Sequence, residues 1–460
     1  MRGLLNWLFR LRFGSRLKAL AGIPGPKPVY PMGTIGEMIG VDPTDVMADY
    51  GKTYGPMTLI WFGGKPAVVL NDPHMIREVL VEKTEDYYKD YPTRALGPVL
   101  RKTLFNLNSP ELDELRKDHP CTIPGFGPWI KTQFPVVKQV AERHLEQWLN
   151  TKGEFEAIDK LQRAFFDVYN AITVGPDFED GGFDNFYNIS EMATFRMKVP
   201  QKWLWPPISP RYHRAFNSHY GAYEKAVKKA RQNPDPNSNN LLHVFLRHGT
   251  RLSDQQLVDF ISEFHAGGDI SSASAVANTL YHLHENPKVA SRLYAELREM
   301  SRRKPNFDLE ALESVPLLDH VLRESMRMIP PVAVFSRNVR KDRPTTLGGK
   351  TIPPDTEVMV VMKHIQRSPD HWTNPDTFDP DRWANGGVER DPIGSDYYFP
   401  FGRGPRMCAG VEVAMFCMKI ILATALSRAS VKTSGSNRIV YHCGVNEAKH
   451  LQASFTPHAA

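Results

Sequence analysis

Ten residues near the end of the chain, Phe401-Gly402-Arg403-Gly404-Pro405-Arg406-Met407-Cys408-Ala409-Gly410, constrain the fold more than any other stretch. A single cysteine stands among glycines, with an arginine two residues before it and a phenylalanine seven before. Glycine lets the backbone turn sharply and come close to a bulky group. A cysteine thiolate is an axial ligand that pushes electron density onto a heme iron and favours O–O cleavage. Arg406 offers a planar, permanently charged fork that matches a heme propionate. The pattern Phe-x-x-Gly-x-Arg-x-Cys-x-Gly therefore reads as a ligand loop, with Cys408 on the metal and Phe401, Gly402, Arg406 and Gly410 around the cofactor. A buried cysteine in a glycine-rich turn competes on equal terms for Cys408 alone; the full decapeptide decides for the ligand.

The decapeptide resembles the cysteine loop of the heme-thiolate cytochrome P-450 family, and the resemblance extends from about Pro24 to the C-terminus. It implies a mainly α fold with small β-sheets, built as one large oxygenase domain over residues 23–460, with residues 1–22 as a separate basic helix. It also implies heme b with an axial cysteine thiolate. The activity implied is a monooxygenase that inserts one oxygen atom from O2 into a lipophilic small molecule such as a fatty acid, terpenoid or steroid. No flavin or ferredoxin segment is legible, so electrons are expected from a separate protein, a ferredoxin or a flavoprotein reductase. The basic residues Lys117, Arg403 and Lys419 would help to dock such an acidic partner.

Composition sets wider limits. With 41% hydrophobic and 23% charged residues over 460 positions, the chain is an ordinary globular protein with a substantial core. A net charge of +6 makes no case for nucleic acid and suits an anionic lipid surface or an acidic redox partner. The four cysteines, Cys121, Cys408, Cys417 and Cys443, contain no CxxC pair and form no disulfide framework, so a reducing, cytoplasmic setting is the default.

The first residues, Met1-Arg2-Gly3-Leu4-Leu5-Asn6-Trp7-Leu8-Phe9-Arg10-Leu11-Arg12-Phe13, are apolar, basic and free of acids. Arg10 and Arg12 make the apolar run too short to span a bilayer. A helix lying in the membrane interface is the leading expectation. A mitochondrial transit peptide has the same composition, and a terminus that merely packs on the body is the third reading. Ile23-Pro24-Gly25-Pro26-Lys27-Pro28 reads as a stiff connector to the globular part.

Beyond it, Met57 to Phe62 and Ala67 to Leu70 read as a hairpin, and Asp72-Pro73 opens a short helix through Val81. From about Pro120 to Leu283 the pattern is helical, broken by exposed loops such as Gln232 to Ser238. Short strands are expected at Val358 to Met362, Ile439 to Tyr441 and Leu451 to Phe455.

Ser253 with Gln256 forms a capping box that starts a helix of about thirty residues, stopped by Pro287. Its middle reads Ala266-Gly267-Gly268-Asp269-Ile270-Ser271-Ser272. Each interior glycine costs about 1 kcal/mol against alanine, which calls for a compensating role, in close helix packing or in function. The family's oxygen-binding helix has Ala-Gly-x-acid-Thr here, opens locally for O2, and relays protons through the acid and the hydroxyl. Asp269 takes the acid's place and Ile270 the threonine's. Isoleucine neither donates nor accepts a hydrogen bond, so proton delivery turns to Ser271, an ordered water or the substrate itself, or is not needed at all. This departure motivates an alternative, a reductant-independent isomerase or dehydratase of a hydroperoxide or endoperoxide. A non-catalytic heme or lipid carrier is a third class, against which Asp269 and the glycines argue.

Glu324 and Arg327 stand at i, i+3 on one helical face, and Phe378-Asp379-Pro380-Asp381-Arg382-Trp383 adds Arg382. By resemblance Glu324, Arg327 and Arg382 form a charge-assisted scaffold network. The resemblance places Arg337 and His119 on heme propionates, while Leu115 stands where a hydrogen-bonding side chain is usual. It lines the substrate pocket with Tyr87 to Phe105, Phe264 to Ile270, Val332 to Phe335 and Asn446 to His450. Trp203-Leu204-Trp205-Pro206-Pro207-Ile208 is an apolar loop suited either to the membrane interface or to inward packing.

Overall fold

The computed structural model describes residues 2–39, 41–90, 95–97, 100–118, 126–176, 178, 182–198, 209–247, 251–384, 395–442 and 445–458. The chain is mostly helical with small sheets, as expected. It divides into two compact units: Met1–Pro92 with Arg327–Thr377 and Glu389–Cys408, and Thr93–Met326 with Phe378–Val388 and Ala409–Ala460.

The first unit is built on a five-stranded sheet. Met57–Phe62 pairs antiparallel with Lys65–Leu70 across the turn Gly63-Gly64, in the register Met57 to Leu70 and Phe62 to Lys65. Lys65–Leu70 runs parallel to Glu357–Val361, which pairs with Val334–Val339, and Tyr87–Tyr88 closes the order. Side chains alternate across a strand, and here both faces are apolar. Leu59, Trp61, Val68 and Leu70 enter one core; Ile60, Ala67 and Val69 enter a second with Met47 and Tyr50. Asp72 caps the next helix by accepting from the Met75 amide at 2.9 Å, and Pro73–Arg77 continues as a wider turn over Glu78–Glu82, close to the expected end.

The N-terminal helix, Arg2–Ala19, is docked on this unit rather than set apart from the body. Phe9 is 1% exposed and meets Trp61 edge-on at 5.2 Å. The Phe13 ring lies so close to Gly64 that a Cβ there would stand 2.1 Å from Cζ. Arg16 donates to the Gly64 carbonyl at 2.8 Å. Phe9, Phe13 and Leu17 recur every four residues and make one face, and burial of that face explains the docking. No described helix is long and apolar enough to cross a membrane.

The second unit contains the helices Phe134–Leu149, Ala157–Thr173, Phe183–Lys198, Pro210–Gln232, Asp254–Glu285 and Val411–Leu426. Asp254–Glu285 begins at the expected capping box, with Ser253 and Gln256 bonded reciprocally, and ends before Asn286 and Pro287. The two expected short strands are the ends of a long hairpin, Ala429–His442 with Val445–Pro457, joined by Phe155–Glu156. Its middle, Lys432-Thr433-Ser434-Gly435-Ser436-Asn437-Arg438, carries no apolar alternation. It is a strand because a partner strand satisfies its backbone, which no local pattern announces.

Candidate active site

In the first unit the decapeptide closes on itself: the Cys408 amide donates to the Phe401 carbonyl at 2.8 Å, and Met407 to Gly404 at 2.9 Å. Gly402 and Gly404 have φ of 75° and 70°. A Cβ on Gly404 would lie 2.0 Å from the Leu80 carbonyl oxygen, so no other residue fits there. The Gly402 backbone faces Phe335, whose Cζ would stand 3.4 Å from an added Cβ. Cys408 is exposed, whereas Cys417 is buried; Cys121 and Cys443 lie outside the described residues. Gly410 serves as N-cap of Val411–Leu426.

Arg337 sits on the strand Val334–Val339, and its guanidinium donates to the Ser336 carbonyl at 2.8 Å. Burial, reinforced by the like charge of Arg406, lowers its pKa to about 10. Among the described residues no carboxylate pairs with it. A desolvated cation beside a second cation is costly unless an anion joins them. An exposed thiol on a glycine-turned loop, with two arginines near enough to repel one another in the same unit, is the donor set that heme with its propionates requires. The residues fit the cofactor. His119 lies outside the described residues, and Leu115 is half-buried on Glu111–Asp118.

In the second unit, Asp254–Glu285 runs unbroken through Gly267-Gly268, without the helix opening that the resemblance implied. The two glycines differ. A Cβ on Gly268 would lie 2.6 Å from the Tyr169 ring, so this glycine permits helix packing; Gly267 is exposed, with nothing among the described residues within 4 Å of a Cβ. Ser271, one turn on, donates its hydroxyl to the Gly267 carbonyl at 2.7 Å. Asp269 is 1% exposed; its Oδ1 accepts from the Ile270 amide at 2.6 Å and its Oδ2 has no partner among the described residues. Burial holds its carboxyl well above the usual range, so it is neutral over a wider span of pH. Asp269 and Ile270 line a narrow, closely packed crevice with Gln162, Phe183, Phe186, Tyr187 and Ser190. The open side of the helix carries Gly267 and Ser271; the acid and Ile270 are turned inward.

The scaffold residues divide between the units. In the second, Glu324 is fully buried and accepts from Arg382 Nε, Trp383 Nε1 and the Asp379 amide, each at 3.0 Å. In the first, Arg327 donates to the carbonyls of Gln366 and Pro375 at 2.8 Å and lies 5.0 Å from the Trp372 ring. Gln366 returns a bond to the Arg327 carbonyl and accepts from the Phe399 amide. Sequence reasoning missed Gln366, Trp372 and Trp383 as members. Trp383 stood inside the Arg382 motif, where a buried indole needs an acceptor; Gln366 carried no signal. Of the expected pocket segments in the second unit, Phe105 joins an apolar cluster with Leu96, Leu100, Ile189, Ala193 and Ala266; the apolar loop 203–208 lies outside the described residues.

Comparison with known proteins covers nearly the whole chain. A family profile described as "Cytochrome P450" matches residues 23–443. Cytochrome P450 3A18 of Rattus norvegicus is 25% identical, over 91% of this chain and 88% of its own length. Premnaspirodiene oxygenase of Hyoscyamus muticus is 26% identical, over 92% and 89%. 11-oxo-beta-amyrin 30-oxidase of Glycyrrhiza uralensis is 24% identical, over 83% and 76%. Among solved structures, the cytochrome P450DA heme domain superposes with a TM-score of 0.82 at 18% identity, covering 95% of this chain and 98% of that one.

Proposed function

The chain belongs to the cytochrome P450 family, heme-thiolate oxidoreductases of the monooxygenase type, and from that premise we propose that it oxygenates a lipophilic small molecule with electrons from a separate ferredoxin or flavoprotein reductase. The observation that carries the reading is the thiol of Cys408 on a loop that only glycines can form, in one unit with Arg406 and with Arg337, which no carboxylate pairs among the described residues. Heme b, when bound, supplies O2 binding and its reductive activation. Cys408 gives the sulfur donor, and Arg337 and Arg406 neutralise the propionates. Asp269 holds a proton in a buried carboxyl, and Ser271 presents a hydroxyl on the open side of the same helix. Leu96, Leu100, Phe105 and Ala266 offer the apolar wall that small lipophilic ligands take.

Leu4, Trp7 and Leu11 on the N-terminal helix are exposed at i, i+3, i+7, with Arg10 and Arg12 beside them, which supports contact with an anionic membrane surface. The peripheral membrane association proposed here rests on that helix.

Ile270 favours one second reading, rearrangement of a hydroperoxide without reductant. Supplying the purified protein with a reductase, NAD(P)H and 18O-labelled O2 across lipid classes separates the two. Monooxygenation gives reductant consumption matched to a product carrying one labelled oxygen. Efficient turnover of a fatty-acid hydroperoxide with no reductant, and no labelled product, selects the rearrangement.

A further inference from the structure

Asp259 and Glu263 stand four residues apart on Asp254–Glu285, on one face, just before Ala266. The two oxygens of Glu263 accept from the backbone amides of Leu104, at 3.2 Å, and Phe105, at 2.8 Å. Asp259 Oδ1 accepts from Gln255 at 2.8 Å and pairs with Arg101 at 3.4 Å. The Arg101 guanidinium lies 3.9 Å from the centre of the Tyr220 ring and 5.1 Å from that of Phe216, both on Pro210–Gln232. Arg101 also has φ of 45°, a left-handed conformation that a side-chain-bearing residue keeps only where its surroundings hold it. Asn106 donates to the Arg101 carbonyl at 2.9 Å and closes the turn. The segment from Arg101 to Phe105 is thus fixed at both ends by acids of one helix.

The held segment adjoins the cluster in which Leu100 and Phe105 meet Ile189 and Ala193 of Phe183–Lys198, Tyr212 and Ala215 of Pro210–Gln232, and Ala266. A carboxylate beside such a cluster is costly unless its oxygens are hydrogen-bonded; Leu104 and Phe105 supply those bonds. We propose that Glu263 is a specificity-determining positioning residue: it sets where the Leu104–Phe105 wall stands against the long helix, and the Asp259–Arg101 pair braces that wall. The inference deepens the function proposed above and rests on it, since the wall matters to catalysis only if substrate binds beside Ala266 and Gly267.

The test uses the full-length heme-loaded protein and the variants Glu263→Ala, Glu263→Gln and Asp259→Asn. Amide hydrogen exchange at Leu104 and Phe105 reads the clamp directly. Spectral titration with imidazole and with 4-phenylimidazole reads the wall, because it compares a small ligand with a larger, apolar one. Glu263→Ala is expected to speed exchange of both amides by about tenfold or more, as loss of bonds to a charged acceptor does. It is also expected to shift the affinity ratio of the two ligands by about tenfold. Glu263→Gln, which keeps one acceptor oxygen, falls between, and it decides the matter together with Asp259→Asn if Glu263→Ala does not fold. Unchanged exchange at both amides overturns the clamp, and faster exchange with an unchanged ligand ratio overturns the specificity role. If wild-type protein gives no spectral response to either ligand, the heme reading has failed, while the exchange rates still decide the clamp.

Discussion

Ile270 is 3% exposed and turned into the crevice, while the neighbouring Ser271 keeps its hydroxyl on the open side, bonded to the Gly267 carbonyl. On the function proposed above, a single-residue shift of the hydroxyl would leave proton handling to Ser271. Ser271→Ala should therefore lower product formed per electron consumed by about a hundredfold, the low end for a lost proton-transfer group, whereas Ile270→Thr should change coupling little. Product and hydrogen peroxide yields against NAD(P)H consumption check this, and the reverse order of effects would contradict it. Asp269 makes a separate prediction about stability. Its folded pKa is raised, so the unfolded chain releases this proton first; the contribution is full below the ordinary carboxyl pKa and is lost as pH rises towards the folded value. Asp269→Asn should remove that loss, so that thermal melting gains more from the substitution at pH 8 than at pH 4. An equal gain at both would mean that the carboxyl is not held neutral.

Two elements have faces with opposed fates. On Arg2–Ala19, Phe9 and Phe13 are taken into the core while Leu4, Trp7 and Leu11 are left outside. Phe9→Ala should cost about 3–5 kcal/mol, as deletion of a buried aromatic does. Trp7→Ser should leave the melting temperature unchanged and weaken binding to anionic lipid vesicles in sedimentation. Loss of stability from Trp7→Ser, with vesicle binding intact, would reverse the assignment of faces. Along the seam of Pro210–Gln232 and Asp254–Glu285, His219 and His265 are buried among Phe166, Phe186, Tyr169 and Tyr223, and neither nitrogen of His265 has a partner among the described residues. Burial lowers His219 to about 3 and His265 well below its ordinary value. Both are neutral in the fold, so their contribution is present above about pH 6.5 and is lost as pH falls towards 3, where the unfolded chain takes up the protons. His265→Phe should flatten the acid limb of a melting-temperature profile; curves parallel to wild type would exclude the histidine as its cause.

At the scale of the molecule, the elements legible in the sequence were those with their own local signature. Ser253 and Gln256 marked the start of the long helix and Pro287 its end; Gly63-Gly64 marked the first hairpin; the cysteine loop marked itself. What the sequence hid was set by partners far along the chain. The middle of the C-terminal hairpin is polar and becomes a strand only through its register with Val445–Pro457. The N-terminal helix looked like a detached basic segment because Trp61 and Gly64, which receive Phe9 and Phe13, lie some fifty residues away. The Glu263 clamp was invisible for the same reason, since its partners are backbone amides. The scaffold network was legible as Glu324 and Arg382 but not in its Trp383 and Asp379 bonds. Because Glu324 is fully buried and Arg382 nearly so, Glu324→Ala should cost about 3–5 kcal/mol and reduce heme recovered with the purified protein.

The central claim is that Cys408 is the sulfur on the iron. The absorption spectrum of the reduced protein with carbon monoxide, for wild type and for Cys408→Ser, tests it most directly. Wild-type protein should show the strongly red-shifted band of a thiolate-ligated heme, and the variant should lose it. A variant that keeps the same band with the same heme content would contradict the assignment.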